Sequence, residues 1–170
     1  MKIRTGFVSN SSSSSFIVAF EVRPACVYDL EMMMFGESDK DGVVACYDDS
    51  YPESAIAAVV WKDLEFQKKS LSDRKAIEIV DSGWFDGKPD YNTPDNYNEM
   101  SREEHNEWWK KRSKESRTAA KDLLVKFKKD LPEGALLFEF DYGDDDGSFF
   151  SVMEHGEIFR RLPHLRISKH

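Results

Sequence analysis

Five consecutive serines at positions 11–15 are the first residues in this chain whose types suggest chemistry. Consecutive backbone N–H groups and hydroxyls are the material of an anion-binding nest, and a nearby arginine can add positive charge beside a phosphate. The run contains no glycine and lacks the Gly-Lys-Ser/Thr ending of a P-loop. A solvated loop or a site of phosphorylation is therefore the alternative. The predicted anion site comprises Arg4, Ser11, Ser12, Ser13, Ser14 and Ser15.

A second group combines acidic residues and histidines near the end of the sequence. Three of the four histidines fall within the last 16 residues and follow three consecutive aspartates at 144–146. Imidazoles and carboxylates can ligate a divalent metal, but no pair has the His-Glu-x-x-His spacing of a metalloenzyme. A solvated acidic turn is the alternative. The candidate metal ligands are Asp144, Asp146, His155 and His164, and Asp146, His155 and His164 are also the candidate catalytic residues.

A third group is aromatic and basic. The segment 84–98 carries several aromatic residues, and two adjacent tryptophans further along precede a Lys-Lys-Arg sequence. Tryptophan, tyrosine and arginine dominate the energetic centres of protein interfaces. Packing of these rings on the body of the protein is one alternative, and binding of nucleic-acid phosphates is another. The predicted partner-binding residues are Trp84, Tyr91, Tyr97, Trp108, Trp109 and Arg112.

Residues 37–48 approach the pattern of a twelve-residue calcium-binding loop. Acids occupy the third and fifth positions, and glycine occupies the sixth. However, Glu37 replaces the usual aspartate at the first position, and Asp48 is shorter than the usual final glutamate. A polar turn between a helix and a strand explains the same residues.

Composition limits the class of protein. The 170 residues carry 24 Lys+Arg and 32 Asp+Glu, and 13% of the residues are aromatic. These values predict one soluble, ordered, cytoplasmic domain, and the acidic balance makes nucleic acid an unlikely partner. The sequence shows no apolar run of membrane-spanning length and no secretory signal, so no membrane partner is expected. Cofactors are expected to be absent, apart from the candidate divalent metal, and the oligomeric state is left open.

The elements that must position these residues follow from periodicity and from helix caps. Ser101 and Glu104 form a capping box at the start of a long helix over 101–130, whose charge is +4 against −12 for the rest of the chain. Its first half is expected to project beyond the core. Glycine and proline predict that 84–98 is a functional or mobile loop.

Strands are predicted at 16–22, 42–47, 135–142, 148–153 and 165–168, and further helices at 28–35, 53–69 and 73–82, with one or two helical turns at 157–162. This order predicts a single α+β domain over 1–170, with a small mixed sheet and helices on one face.

The N-terminal sequence GFVSNSSSSSF, residues 6–16, resembles the start of uncharacterised tailed-bacteriophage proteins. The segments 153–159 and 162–168, with the terminal His170, are similar to the end of some of those proteins. The resemblance implies a virus-encoded accessory protein that acts in the host bacterial cytoplasm, and it implies no catalytic residue. The leading hypothesis is a non-catalytic protein that binds a host protein and modulates it, most simply by inhibition. The alternatives are a small metal- or phosphate-dependent enzyme acting on nucleotides and a structural component of the virion.

Overall fold

A computed structural model of the chain describes residues 13–37, 42–89, 93–143 and 147–169. Five α-helices and five strands lie within these ranges. In chain order they are β1 (Ser13–Phe20), α1 (Val27–Phe35), β2 (Val43–Cys46), β3 (Asp49–Pro52), α2 (Glu53–Phe66), α3 (Asp73–Ser82), α4 (Arg102–Lys129), β4 (Leu136–Gly143), α5 (Ser148–His155) and β5 (His164–Ser168), with a short 3-10 helix at Tyr97–Glu99 before α4. The α+β class and the long helix are confirmed.

The central strand of the main sheet is β1, which pairs with β4 on one side and β5 on the other. Both pairings are antiparallel, so that Phe16 lies between Phe140 and Arg166. Strands β2 and β3 form a separate antiparallel hairpin. The prediction of a mixed sheet is therefore wrong. A mixed sheet contains at least one parallel pair of neighbouring strands. In this sheet both neighbours of β1 run antiparallel to it.

Helices cover both faces of the main sheet, which corrects the expectation of a single covered face. Side chains of a strand alternate between faces, and residues 16–20 are all apolar and buried. Phe16, Val18 and Phe20 join a cluster with α1, α2 and α5. Ile17 and Ala19 join a second cluster with α3 and α4. A strand that is apolar on both sides requires two covering layers.

Helix α4 extends well past the helix on which it packs. Lys128 Nζ contacts Asp73 Oδ1 at 2.7 Å near one end of α3, and Ser116 Oγ donates to Asp81 Oδ1 near the other end. The buried residues of α4 are Ser116, Ala120 and Leu124, all in its second half. At about 1.5 Å per residue, the preceding segment 102–115 extends roughly 21 Å beyond this packed region. We call this segment the projecting arm.

Two predicted elements near the end of the chain are wrong. Residues Ser148–His155 form helix α5 rather than the strand predicted at 148–153. Short apolar runs are ambiguous between strand and helix, and here Phe149, Val152 and Met153 share the helix face that packs on the sheet. The segment 157–162 forms turns rather than a helix, and Glu157 has a positive φ of 52°.

The predicted loop of serines is wrong for Ser13, Ser14 and Ser15, because these residues belong to β1. Their backbones pair with β4 and β5. Ser14 and Ser15 are completely buried. Ser11 and Ser12 lie outside the described residues. None of the helices in the described ranges combines the length and the apolar character needed to cross a membrane.

Candidate partner-binding site

The predicted interface residues that come together lie on the projecting arm and the segment just before it. Ser101 caps α4 by accepting a hydrogen bond from Glu104 N, and the backbone N–H of Ser101 donates to Glu104 Oε2 at 2.7 Å. That backbone hydrogen bond lowers the pKa of the Glu104 carboxyl. The capping box fixes the first turn of the helix. His105, Trp108 and Arg112 then recur at the spacing of one helix face.

Four rings pack against one another at this place, and we call Tyr97, His105, Trp108 and Trp109 the aromatic cluster. The Tyr97 ring stacks on His105 with centroids 4.5 Å apart and planes 20° apart. The edge-to-face pairs are Tyr97 with Trp108 at 5.5 Å and Trp108 with Trp109 at 4.7 Å. These are the favourable arrangements of aromatic quadrupoles.

Hydrogen bonds tie the same rings together. A His105 ring nitrogen, Nε2, lies 2.6 Å from the carbonyl oxygen of Tyr97. The indole N–H of Trp109 donates to the Tyr97 hydroxyl at 3.3 Å. Trp108 is half-buried, whereas Trp109 keeps 48% of its surface exposed. The cluster therefore orients the Trp109 ring while leaving much of it accessible.

Arg112 completes this surface. Its guanidinium lies 5.7 Å from the Trp108 ring centroid, within the range of a cation–π contact. Its Nη1 also forms an ion pair with Glu115 at 3.1 Å. The side chain is thus held in place beside the indoles by two partners. Lys111 and Lys114 add exposed positive charge on the same arm.

Trp84 lies on a different element, although it too is half-exposed, at 49%. Its backbone pairs with Ser168 at the end of β5. The nearby Lys88 ammonium donates to the carbonyl oxygens of Asp81 and Gly83, at 2.7 and 2.6 Å. This part of the predicted loop 84–98 is therefore anchored to α3 and β5. Tyr91 lies outside the described residues.

The serine run contributes to a different site, a buried polar network between β1, α5 and β5. Ser14 Oγ donates to Glu154 Oε1 at 3.0 Å and accepts from Arg166 Nε at 3.1 Å. Arg166 Nη2 also lies 3.1 Å from His155 Nδ1, and His155 Nε2 lies 3.6 Å from Glu154 Oε2. Ser14 and Glu154 are almost completely excluded from solvent.

This network contradicts an anion site at Ser13–Ser15. Their N–H groups lie in a strand that is paired along both edges, and the Ser14 hydroxyl already contacts a carboxylate. A second anion there would be repelled by Glu154. Arg4, Ser11 and Ser12, the remaining members of the predicted site, lie outside the described residues.

The predicted metal and catalytic residues do not assemble within the described ranges. His155 belongs to the buried polar network, while His164 directs Nδ1 to the Leu162 carbonyl oxygen at 2.9 Å and packs its ring on Phe16 and Phe159. Asp144 and Asp146 lie outside those ranges. Among the described residues, no three His, Cys, Asp or Glu side chains are grouped to hold a metal.

Sequence reasoning missed three residues that matter in these sites. His105 lies three residues before Trp108, a helical spacing that identifies it as a neighbour. Glu154 and Arg166 left no local signal, because their partner Ser14 is 140 and 152 residues away along the chain.

Comparison with known proteins identified no similar protein. The chain matches no protein-family model, no curated protein and no solved structure. Its candidate function therefore rests on the aromatic cluster and the charges of the projecting arm.

Proposed function

We propose that this protein is a non-catalytic binding protein that docks on another protein through the aromatic cluster and modulates that partner. The observation that carries the proposal is the half-exposed Trp109 ring, which the Tyr97 hydroxyl holds in place on an arm that projects from the body. An ordered tryptophan at such a position is the kind of residue that forms the energetic centre of an interface.

The magnitude of this contact is sufficient for a binding anchor. A tryptophan side chain offers up to about 250 Å², so a half-exposed ring leaves roughly 120 Å² available for burial. At about 25 cal/mol per Å², its burial contributes approximately 3 kcal/mol. Because Tyr97, Trp108 and Trp109 already contact one another, little side-chain entropy is lost when a partner binds.

Charge on the arm favours a partner with an acidic surface. Lys111 and Lys114 are exposed, and Arg112 lies beside Trp108. The projecting arm has five basic and four acidic residues, a net charge of +1 against −9 for the rest of the chain, so the two differ in sign and the arm can help to orient an approaching partner. The resemblance of residues 6–16 to bacteriophage proteins makes a bacterial host protein the partner that we propose. Inhibition of that protein is the simplest modulation.

The test compares two exposed apolar side chains on the same helix. Immobilised wild-type protein captures partners from a bacterial lysate, and the affinity of the recovered protein is then measured by calorimetry for Trp109→Ala and Val125→Ala. Val125 is 60% exposed and lies in the second half of α4. We expect Trp109→Ala to weaken binding by about thirtyfold or more, as at an interface hot spot, and Val125→Ala to leave it nearly unchanged.

Three results would contradict the proposal. One is the absence of any captured protein, and the second is equal binding by the wild type and Trp109→Ala. The third is unfolding of Trp109→Ala, seen as loss of its cooperative urea transition, because a structural ring cannot then be an interface anchor. An assay of the purified partner's own activity, with and without this protein, then measures whether that activity falls when the complex forms.

A further inference from the structure

A cavity of about 580 Å³ lies between the end of α1, the start of β2 and the N-terminus of α2. Its volume is within the usual range of small-molecule sites, roughly 300–1,000 Å³. Its lining residues include Glu31, Glu37 and Glu53 together with Tyr28, Met32 and Val43. The cavity is on a different part of the molecule from the projecting arm, so a ligand bound in it is independent of the proposed function.

Glu53 is the residue that points to a ligand. It is only 7% exposed, and its Oε2 atom is buried with no hydrogen-bond partner among the described residues. Burying a charge without a partner is costly, so such carboxylates are normally paired. The position of Glu53 is fixed at the first turn of α2, where its backbone N–H donates to the Gly42 carbonyl oxygen at 3.0 Å.

The charge around the cavity favours a cation. Glu31, Glu37 and Glu53 contribute three carboxylates to the described lining. The guanidinium of Arg161 lies close to Gly36, another residue of the same wall, but no lysine or arginine is among the described residues that line the cavity. The N-terminus of α2 partly offsets the charge of Glu53, but it leaves the other two carboxylates uncompensated.

The apolar part of the lining indicates what kind of cation fits. Tyr28 is largely exposed at the rim, and an aromatic ring attracts an ammonium or guanidinium group. Met32 and Val43 provide contact for an alkyl chain. A bare metal ion does not use such surfaces. No described group of three acidic, histidine or cysteine side chains is arranged to hold one.

We propose that this cavity binds an organic cation, an ammonium or guanidinium group on an alkyl chain, with Glu53 as its charge partner and Tyr28 at its rim. The same chemistry is offered by a free alkyl diamine and by a lysine or arginine side chain of a peptide. Binding measurements with one probe of each kind distinguish these two sources.

The test measures binding to the full chain with three probes. They are 1,4-diaminobutane, a lysine capped at both ends as acetyl-lysine methylamide, and 1,4-butanediol as a neutral molecule of similar length. Each probe is titrated by NMR or calorimetry into the wild type, Glu53→Gln and Glu65→Gln. Glu65 is exposed on the same helix, so its substitution changes the net charge by the same amount and controls for general attraction to an acidic protein.

We expect saturable binding of at least one amine, with no binding of the diol. Glu53→Gln should weaken that binding by at least about tenfold, which is one decade in Kd. Glu65→Gln should change it by less than roughly twofold, since exposed charges contribute little. Stronger binding of the diamine identifies a free amine as the ligand, and stronger binding of the capped lysine identifies a peptide side chain.

The proposal is overturned if neither amine saturates below about 10 mM, well above the 1 mM affinity of a weak specific site. It is also overturned if the two glutamine variants lose binding equally, or if calcium ions displace the amine competitively. Glu53→Gln is expected to fold, because glutamine has the same shape as glutamate and no described residue hydrogen-bonds to Oε2 of Glu53. If its urea transition is nevertheless lost, Tyr28→Leu at the exposed rim carries the test, and unchanged amine binding in that variant overturns the proposal.

Discussion

Replacing Ser14 by alanine removes a completely buried hydroxyl that has two charged partners, whereas the same change at Ser15 removes an equally buried hydroxyl to which no described residue bonds. Ser14 Oγ donates to Glu154 and accepts from Arg166. Ser15 Oγ has no hydrogen-bond partner within the part of the chain that the structure describes. The two residues are neighbours in β1 and face opposite sides of the sheet. They are therefore a matched pair for one chemical change.

The loss expected for Ser14→Ala follows from its two hydrogen bonds. Each bond to a charged group contributes about 1.5–3 kcal/mol. In the wild type Arg166 Nη2 lies 3.8 Å from Glu154 Oε1, and we expect this ion pair to compensate partly for the missing hydroxyl. We expect the free energy of unfolding to fall by about 2–3 kcal/mol.

Ser15→Ala is expected to leave the free energy of unfolding unchanged or to raise it, in contrast to Ser14→Ala. A buried hydroxyl without a hydrogen bond costs roughly 1–3 kcal/mol of desolvation. Alanine keeps the backbone pairing of β1 and adds no polar group. The void left by one oxygen atom offsets part of this gain. We expect the variant to be between unchanged and about 1.5 kcal/mol more stable than the wild type.

Urea denaturation followed by circular dichroism measures both changes. A slope m of about 2 kcal/mol per M separates the two transition midpoints by roughly 1–2 M if the reasoning holds. Equal losses in the two variants would refute it, and so would a larger loss for Ser15→Ala. An altered m value would show that the substitution changed the folded or unfolded ensemble instead.

Three further substitutions test other parts of the fold. Burial raises the pKa of Tyr142 well above 10, so the unfolded chain ionises this group at a lower pH than the folded chain, and the free energy of unfolding should fall above about pH 10. Tyr142→Phe should make this fall with pH less steep when denaturation is measured at several pH values. At pH 7 the variant should lose about 1 kcal/mol of stability, because the hydrogen bond to Asp63 is removed. Ser101→Ala removes the N-terminal cap of α4 and should lower the free energy of unfolding by about 1 kcal/mol, measured by thermal melting. Gly83→Ala would place a Cβ 2.5 Å from a backbone oxygen of the last strand. We therefore expect the free energy of unfolding, measured by urea denaturation, to fall by roughly 2–4 kcal/mol. A decrease of less than about 0.5 kcal/mol would contradict this close packing.

Local signals predicted much of the fold correctly. The capping box at Ser101 located the start of α4, because a cap depends on residues within one turn. The strands at β4 and β5 were found from their apolar residues, which in β4 include Phe138, Phe140 and Tyr142. Their antiparallel order around β1 was not found, since strand order depends on contacts between distant segments.

The candidate sites also differ in whether they depend on residues close together in the sequence or on contacts between distant segments. Residue types and nearness in sequence identified Tyr97, Trp108, Trp109 and Arg112, which lie within 16 positions of one another and meet in the structure. The cavity around Glu53 could not be found from sequence, because α1, β2 and α2 must first be packed together to form it.

The position of β1 at the centre of the main sheet also governs how the chain can fold as it is made. Both of its hydrogen-bonding edges are satisfied by segments that come much later, at Leu136–Gly143 and His164–Ser168. A ribosome needs roughly 8 to 30 s to add the intervening stretch of about 150 residues at about 5–20 residues per second. During that interval the apolar strand is exposed to other nascent chains. Folding of the main sheet is therefore expected to wait until β5 has been synthesised and to be slow, and yields in cells should respond strongly to chaperone supply.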